Sequence, residues 1–267
     1  MTPEQIAVLA TDGGPHDMAG AGQSILGVAM QLPTIAQNFK TGGGIPWSEQ
    51  HSFIHDGVRR FFAPLYRHAL VQTIIPALDG IEKKMKIGCR VLDVGCGHGE
   101  STLAMGAAFP NSTFVGSDYH VGSIERAQSV NELPNVSFTA EDASRLTKDG
   151  NFDVICAFDC WHDMSDPGTV TSNFKTMLKE GGSVFLIEPM AGETIDENRN
   201  IVGQVFSGFS TTCCLQCAKA STPEGEKLGT LCPTSRAEAL FNKSGFSQFS
   251  SVAVPGIATN RVYQVRV

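Results

Sequence analysis

A short apolar strand that runs directly into alternating glycines is the feature that most constrains this chain. The segment Arg90–Glu100 reads RVLDVGCGHGE, and its apolar residues at 91, 92 and 94 are typical of a parallel strand covered on both faces. Gly95, Gly97 and Gly99 follow, and they permit backbone conformations that other residues avoid. A ligand can therefore come within contact of the main-chain N–H groups in this turn.

Two more strand ends carry polar residues that suit a nucleoside. The helix predicted at 101–109 places the glycine turn at a helix N-terminus, and the spacing G-x-G-x-G differs from the G-x-G-x-x-G of nicotinamide and flavin binders. A second strand, 112–117, ends at Asp118, where a carboxylate can bind a ribose diol, and Tyr119 can lie against a base. A third strand, 136–139, is followed by Asp142 and Ala143, which suit a purine edge.

These motifs resemble those of the class I S-adenosylmethionine-dependent methyltransferases. The resemblance continues through FDVICAFDCWHDM, LKEGGSVFLIEPM, TSRAEALFNKSGF and NRVYQVRV, and so covers nearly the whole chain. It implies an α/β fold with a Rossmann-like, seven-stranded, mostly parallel sheet whose last strand is antiparallel, plus an N-terminal helical cap. It also implies S-adenosylmethionine as cofactor and S-adenosylhomocysteine as product. Many members of the resembling subgroup carry a winged-helix segment upstream, which we expect this chain to lack.

The resemblance and the strand ends together define the expected cofactor site. We expect the cofactor to contact residues at the ends of the first four strands: Asp93, Gly95, Cys96, Gly97, His98, Gly99, Asp118, Tyr119, Asp142, Ala143 and Phe158.

The catalytic candidates follow the fourth strand. His162 lies just beyond it, beside the expected methyl position, and an imidazole can act as a general base near neutral pH. Asp159 can orient His162 or hold the acceptor. The alternative is that His162 only bonds a loop carbonyl and that Asp163 caps the following helix. Glu188, at the end of the fifth strand, is a further candidate for contact with the acceptor.

The residues before the first strand are expected to form a helical cap at 1–85, ahead of a methyltransferase domain at 86–267. Pro33 and Pro76 should kink or end helices of this cap. Trp47 and Tyr66 of the cap can stack on an acceptor, although aromatic residues in helical caps are more often core. An insertion at about 190–233 should act with the cap as a lid over the strand ends. Exposed apolar residues on these helices could equally pair two chains in a homodimer.

Charge and composition narrow the setting. The 267 residues carry a net charge of −7, which opposes binding to a phosphate backbone, and the Lys83–Lys86 run is better explained as a solvated loop. The fourth strand end also lacks the Asn/Asp-Pro-Pro-aromatic tetrapeptide of enzymes that methylate base amines. A small-molecule acceptor is therefore expected. With neither an apolar run of about eighteen residues nor a signal peptide, the expected location is the cytoplasm.

The eight cysteines require their own interpretation. Cys213, Cys214 and Cys217 are clustered, and Cys232 follows fifteen residues after Cys217. A structural zinc site usually has four ligands in paired spacings, which this pattern lacks, so helix packing beneath a lid is the favoured interpretation and no metal site is expected.

Two other function classes stay open. One is a regulatory protein that binds S-adenosylmethionine without catalysis, and the other is a nicotinamide oxidoreductase, which the glycine spacing disfavours. The sequence identifies neither the acceptor nor the methylated atom.

Overall fold

The computed structural model describes residues 1–146, 151–221 and 225–267. Among these residues, seven strands form one sheet in the order β3-β2-β1-β4-β5-β7-β6. The strands are β1 Arg90–Val94, β2 Thr113–Asp118, β3 Val136–Ala140, β4 Phe152–Phe158, β5 Leu178–Pro189, β6 Gln248–Val252 and β7 Asn260–Arg266. Strands β1 to β5 are parallel, whereas β7 is antiparallel to both of its neighbours. The predicted sheet is confirmed.

Helices cover both faces of this sheet. In chain order they are α1 Pro3–Leu9, α2 Ala19–Thr41, α3 Ser52–Leu65, α4 Ile75–Ala77, α5 Ile81–Ile87, α6 Glu100–Ala108, α7 Val121–Val130, α8 Pro167–Met177, α9 Ile201–Phe209, α10 Leu215–Ser221 and α11 Thr234–Lys243. Short 3₁₀ turns lie at Trp47–Glu49 and Trp161–Asp163, and π-helical segments lie at Tyr66–Ile74 and Ser210–Cys214.

Alternate residues of each central strand enter different cores. Val91 and Val154 pack on one face with α5 and the π-helical segment that follows α3. Leu92 and Ile155 pack on the other face with α8 and α11. Because both faces are apolar and covered, these strands lack the alternation of polar and apolar residues seen in half-exposed sheets.

The N-terminal helices α2 and α3 pack closely through glycine. A Cβ atom added to Gly20 would lie 2.4 Å from the Phe61 nitrogen, and one added to Gly57 would lie 2.4 Å from Ser24 Oγ. The backbones can approach this closely only without side chains at these positions.

The two cap prolines lie at helical positions. Helix α2 runs through Pro33 to Thr41 without ending there, because one lost backbone hydrogen bond is a small part of a 23-residue helix packed along α3. The helix containing Pro76 does end, at Ala77.

The cap is tied to the sheet and to the insertion. Arg59 of α3 and Arg67 of the π-helical segment that follows it pair with Glu100 at the start of α6, at 3.2 and 2.8 Å. The Ile45 N–H donates to the Gln216 carbonyl oxygen at 3.0 Å in α10. The expected boundary between residues 85 and 86 falls inside α5, and residues 222–224 of the expected insertion lie outside the described residues. In the described residues, no helix has both the length and the apolar character needed to cross a membrane.

Candidate active site

The glycine turn after β1 has the backbone that its sequence requires. Gly95, Gly97 and Gly99 have φ values of 69°, 53° and 83°, in the left-handed region. A Cβ on Gly95 would lie 2.5 Å from Cys160 Sγ, whereas one on Gly97 would meet no described atom within 4 Å. Gly97 therefore supplies a backbone conformation and faces open space, as a residue that admits a ligand must.

Asp118 links this turn to the end of β2. Its Oδ2 atom accepts from the Gly97 N–H at 2.9 Å, and its Oδ1 atom accepts from the His120 N–H at 2.8 Å. Burial raises the pKa of the Asp118 carboxyl above its usual value, although these two N–H groups act in the opposite direction. Each carboxylate oxygen keeps a second lone pair. The geometry fits a carboxylate that accepts two neighbouring hydroxyl groups.

Asp93 lies behind the turn and holds the first residues of α6. Its Oδ2 atom accepts from Ser101 Oγ at 2.7 Å and from Thr102 Oγ1 at 2.6 Å. Burial raises the pKa of Asp93 to about 6. These bonds position the loop, and the predicted contact between Asp93 and the cofactor stays a prediction.

The remaining predicted cofactor residues are spread along this sheet edge. Asp142 is exposed and accepts from the Ser144 N–H and hydroxyl, both at 2.8 Å, whereas the Ala143 carbonyl accepts from Asn173 at 3.1 Å. Cys96 is buried in the turn. Phe158 is buried against Phe185, with ring centroids 4.7 Å apart, so its clearest role is packing.

The cap contributes a row of rings near the end of β2. The rings of Trp47 and His55 lie 4.9 Å apart, and those of His55 and His120 lie 4.5 Å apart. Trp47, predicted to contact the acceptor, therefore lies close to the β2 end, beside Tyr119, which is 45% exposed. Neither His55 nor His120 is predicted from the sequence, because residues so distant in sequence give no local signal of their contact.

His98, within the glycine turn, faces the cap. Burial lowers the pKa of His98 to about 4, and the nearby positive charge of Arg59 acts in the same direction. His98 is therefore neutral at physiological pH, and the contact predicted between His98 and the cofactor stays a prediction.

The end of β4 holds a strained, buried acid. Asp159 has a φ of 52°, the only positive value for a non-glycine among the described residues. Its Oδ1 atom accepts from Asn260 Nδ2 at 2.5 Å, and its buried Oδ2 atom has no hydrogen-bond partner in residues 1–146, 151–221 or 225–267. Burial raises the pKa of Asp159 well above its usual range. Tyr66 reaches this strand end from the cap, and burial together with the charge of Asp159 raises its pKa.

His162 is buried immediately beyond Asp159, with 3% of its surface exposed. Its Nδ1 atom lies 2.5 Å from Glu188 Oε2, and Glu188 Oε1 accepts from the Trp161 N–H at 3.1 Å. The structure thus corrects the prediction that Asp159 orients His162, because Glu188 bonds to its ring and Asp159 bonds to Asn260. Burial alone would lower the pKa of His162, but the charges of Asp163 and Glu188 prevail and raise it well above its usual value.

The structure does not match the alternative prediction, in which His162 bonds a loop carbonyl and Asp163 caps the next helix. The ring of His162 bonds to a carboxylate and not to a loop carbonyl. The residue that caps α8 is Asp166, whose Oδ1 atom accepts from the Thr169 N–H at 3.0 Å, and not Asp163.

The cysteines are all free thiols, and two of the clustered ones have the expected packing role. Cys213 and Cys217 pack with Ile54 between the cap and the insertion. Cys214 instead faces His162 and Asp163. The described surface also has cavities of about 310 and 410 Å³, but their lining residues include neither Asp118 nor His162.

Comparison with known proteins agrees with this geometry. Residues 85–233, more than half of the chain, match a family described as a methyltransferase domain. The chain belongs to this methyltransferase family.

Single proteins and solved structures resemble this chain at low sequence identity. A ubiquinone biosynthesis O-methyltransferase from Coxiella burnetii is 31% identical over 112 residues, covering 40% of this chain and 47% of that protein. The chain thus spans about half the length of this relative. An O-methyltransferase family protein from Burkholderia thailandensis has a TM-score of 0.69 at 15% identity, covering 99% of this chain and 76% of that one. Human N-acetylserotonin methyltransferase in complex with S-adenosylmethionine has a TM-score of 0.68 at 15% identity, covering 99% and 74%. These similarities confirm the class I methyltransferase prediction at the level of family and fold.

Proposed function

We propose that this methyltransferase transfers the methyl group of S-adenosylmethionine to a hydroxyl oxygen of a small molecule and releases S-adenosylhomocysteine. The observation that carries the proposal is the placement, along one sheet edge, of an Asp118 carboxylate bonded to the glycine turn and a buried His162–Glu188 pair two strands away. The first suits a nucleoside diol, and the second suits an acceptor that loses a proton.

The choice of cofactor rests on the fit of the turn. Gly97 leaves open space beside Asp118, whose carboxylate oxygens each retain acceptor capacity for the ribose hydroxyls. When bound, S-adenosylmethionine supplies an electrophilic sulfonium methyl group. A structural neighbour that contains this compound supports the assignment.

The choice of oxygen rests on the relatives and on charge. Both a relative and a structural neighbour are named as O-methyltransferases. The net charge of −7 opposes a nucleic-acid acceptor. A small molecule with a hydroxyl group is the acceptor class that agrees with the names of these similar proteins and with the negative charge.

His162 is the candidate general base. When His162 is neutral, Glu188 accepts its Nδ1–H and fixes the ring, so Nε2 is the nitrogen that can take the acceptor proton. Because the pKa of His162 is raised, this neutral form requires a pH above that raised pKa. Loss of that proton to His162 would make the acceptor oxygen a stronger nucleophile toward the methyl group that the bound cofactor would supply. Asp159, with its free Oδ2 atom, and Tyr66 are candidates to hold the acceptor or the cofactor at this strand end.

The cap at 1–85 and the insertion at about 190–233 are proposed to close the site together. Asn38 Nδ2 donates to Gln216 Oε1 at 3.0 Å, and Arg59 and Arg67 both pair with Glu100 beside the glycine turn. The cap thus contacts both the insertion and the glycine turn. Together the cap and the insertion can exclude water from the reacting methyl group.

The outer face of α2 supports a homodimer. Ile25, Leu32 and Phe39 follow one another at intervals of seven residues and so lie on one side of the helix, and they are 57%, 50% and 63% exposed, which is unusual for large apolar side chains. A second copy that covers this face would give a dimer in sedimentation velocity at micromolar concentration, and a monomer would contradict the proposal.

The decisive test of the function separates binding from turnover. Isothermal titration should show that S-adenosylhomocysteine binds and that NAD does not, and metabolite extracts incubated with S-adenosylmethionine should yield a product heavier by one methyl group. Preferential NAD binding would support an oxidoreductase. Cofactor binding without turnover across broad acceptor panels would support the non-catalytic regulator.

A further inference from the structure

Three potential metal ligands converge beside the β4 end. A ring nitrogen of His162, a carboxylate oxygen of Asp163 and the Sγ atom of Cys214 all lie within 4.8 Å of one another. His162 and Cys214 are 3% and 8% exposed. The first two residues belong to the 3₁₀ turn Trp161–Asp163, and Cys214 belongs to the π-helical segment of the insertion. The fold therefore brings together donors that are about fifty residues apart in sequence.

One carboxylate oxygen of Asp163 is buried, and a buried oxygen normally accepts a hydrogen bond. This Oδ1 atom lies 3.0 Å from His162 Nε2, close enough for an ion pair when the ring is charged, but makes no hydrogen bond to it. Within the described part of the chain this buried oxygen has no hydrogen-bond partner. Burial of an oxygen without a partner is unfavourable, and coordination to a cation would remove that cost.

The opposite side of the His162 ring is arranged as it is in metal sites. Histidine ligands usually donate their second ring N–H to a carboxylate, which fixes the ring and strengthens the other nitrogen as a ligand. Glu188 Oε2 occupies that position, 2.5 Å from Nδ1, and the Trp161 N–H holds Glu188 in turn. The Nε2 atom is thereby left on the side of Asp163.

The charges around His162 also favour a bound cation. One imidazole faces the carboxylates of both Asp163 and Glu188. Two carboxylates beside one imidazole carry excess negative charge even when the ring is protonated, and a divalent cation would neutralise that charge.

We propose that His162, Asp163 and Cys214 form a three-ligand site for a divalent ion of the zinc class. Nitrogen, oxygen and sulfur ligands together select Zn²⁺ or Co²⁺ over Mg²⁺ and Ca²⁺, which require oxygen ligands. Three protein ligands leave a tetrahedral ion one position for water or another small ligand.

This site has a consequence for the proposed reaction. The ion and the acceptor proton would use the same lone pair on His162 Nε2, so only one can be bound at a time. Zinc should therefore inhibit methyl transfer. This consequence rests on the proposed function, whereas the site itself does not.

Cobalt binding to the full chain tests the site without an activity assay. After chelation and dialysis under reducing conditions, Co²⁺ should bind the wild type at one ion per chain with a thiolate-to-cobalt charge-transfer band that Zn²⁺ abolishes. Cys214→Ser should lose this band, and Cys213→Ala, a neighbouring thiol outside the ligand set, should keep it. A wild type without the band, or a Cys214→Ser variant that keeps it, would overturn the proposal.

Two further variants keep the test decisive if Cys214→Ser does not fold, as judged by circular dichroism. Glu188→Gln removes the carboxylate behind the ring and should weaken Co²⁺ binding by about 10–100-fold. Asp163→Asn removes a charged ligand and should weaken it at least as much. Unchanged Co²⁺ affinity in both folded variants would overturn the site.

The inhibition assay separates this proposal from the proposed function. Rates with added Zn²⁺ are compared with the chelated rate of the same variant, and Cys214→Ser should need at least about tenfold more zinc for half inhibition. Cobalt binding without inhibition would leave the site in place and contradict His162 as the base. Absence of S-adenosylhomocysteine binding in calorimetry would contradict the proposed function and leave the metal result unaffected.

Discussion

The exchange of Asp118 for alanine gives the most direct test of the cofactor site. The carboxylate of Asp118 accepts from the N–H groups of Gly97 and His120 at 2.9 and 2.8 Å, and its remaining lone pairs are those proposed to accept the ribose hydroxyls. The substitution therefore removes the diol contact and also releases the glycine turn.

The expected magnitude follows from the bonds removed. A hydrogen bond to a charged group contributes about 1.5–3 kcal/mol, and some of this is recovered when water replaces the carboxylate. We expect a net loss of about 1–3 kcal/mol, which corresponds to cofactor affinity weakened by roughly 5- to 150-fold. Asp118→Asn should fall in between, because its amide oxygen can still accept one N–H whereas its NH₂ group cannot accept the other.

Isothermal titration with S-adenosylhomocysteine measures this loss. Asp196→Ala is a matched control, since Asp196 is an 82% exposed side chain that pairs only with the surface residue Arg199 in the described structure. The control should bind like the wild type. Equal affinity in wild type and Asp118→Ala would refute the placement of the ribose at the β2 end.

Three other predictions concern catalysis, the lid and stability. His162→Ala should lower kcat by about 10²–10⁴ and leave S-adenosylhomocysteine affinity nearly intact; a variant with the wild-type rate would mean that alignment alone drives the transfer. Deletion of residues 1–39, none of which belongs to the two large cores, should keep cofactor affinity within about tenfold but abolish turnover, and full activity would exclude the cap from catalysis. Burial raises the pKa of Asp93 from 3.8 to about 6, so the folded state holds this proton more tightly than the unfolded state. The free energy of unfolding of the wild type, relative to that of Asp93→Asn, should therefore fall by up to about 3 kcal/mol as pH rises from about 4 to about 6. Urea denaturation measures both free energies, and a difference between the two proteins that does not change with pH would contradict the assignment.

The sequence by itself determined the sheet and the glycine turn. Strands β1 and β4 are apolar runs bounded by glycine or polar residues, and such local patterns depend only on burial and on backbone freedom. The left-handed φ values of Gly95, Gly97 and Gly99 are a property of the residue type, which is why the turn was predictable. The contact between Asp118 and the turn also follows, because neighbouring parallel strands end at the same sheet edge.

Only the tertiary structure decided the partners of the candidate catalytic residues. Glu188, and not the nearby Asp159, bonds to His162, because the register of β4 and β5 pairs Phe158 with Ile187 and brings the next residue of β5 beside the loop after β4. Cys214 reaches His162 only because the insertion folds back over the strand ends. The periodicity of a sequence reports which residues are buried, but the choice between nearby carboxylates and thiols depends on strand register and loop path, which are set by packing between residues far apart in the chain.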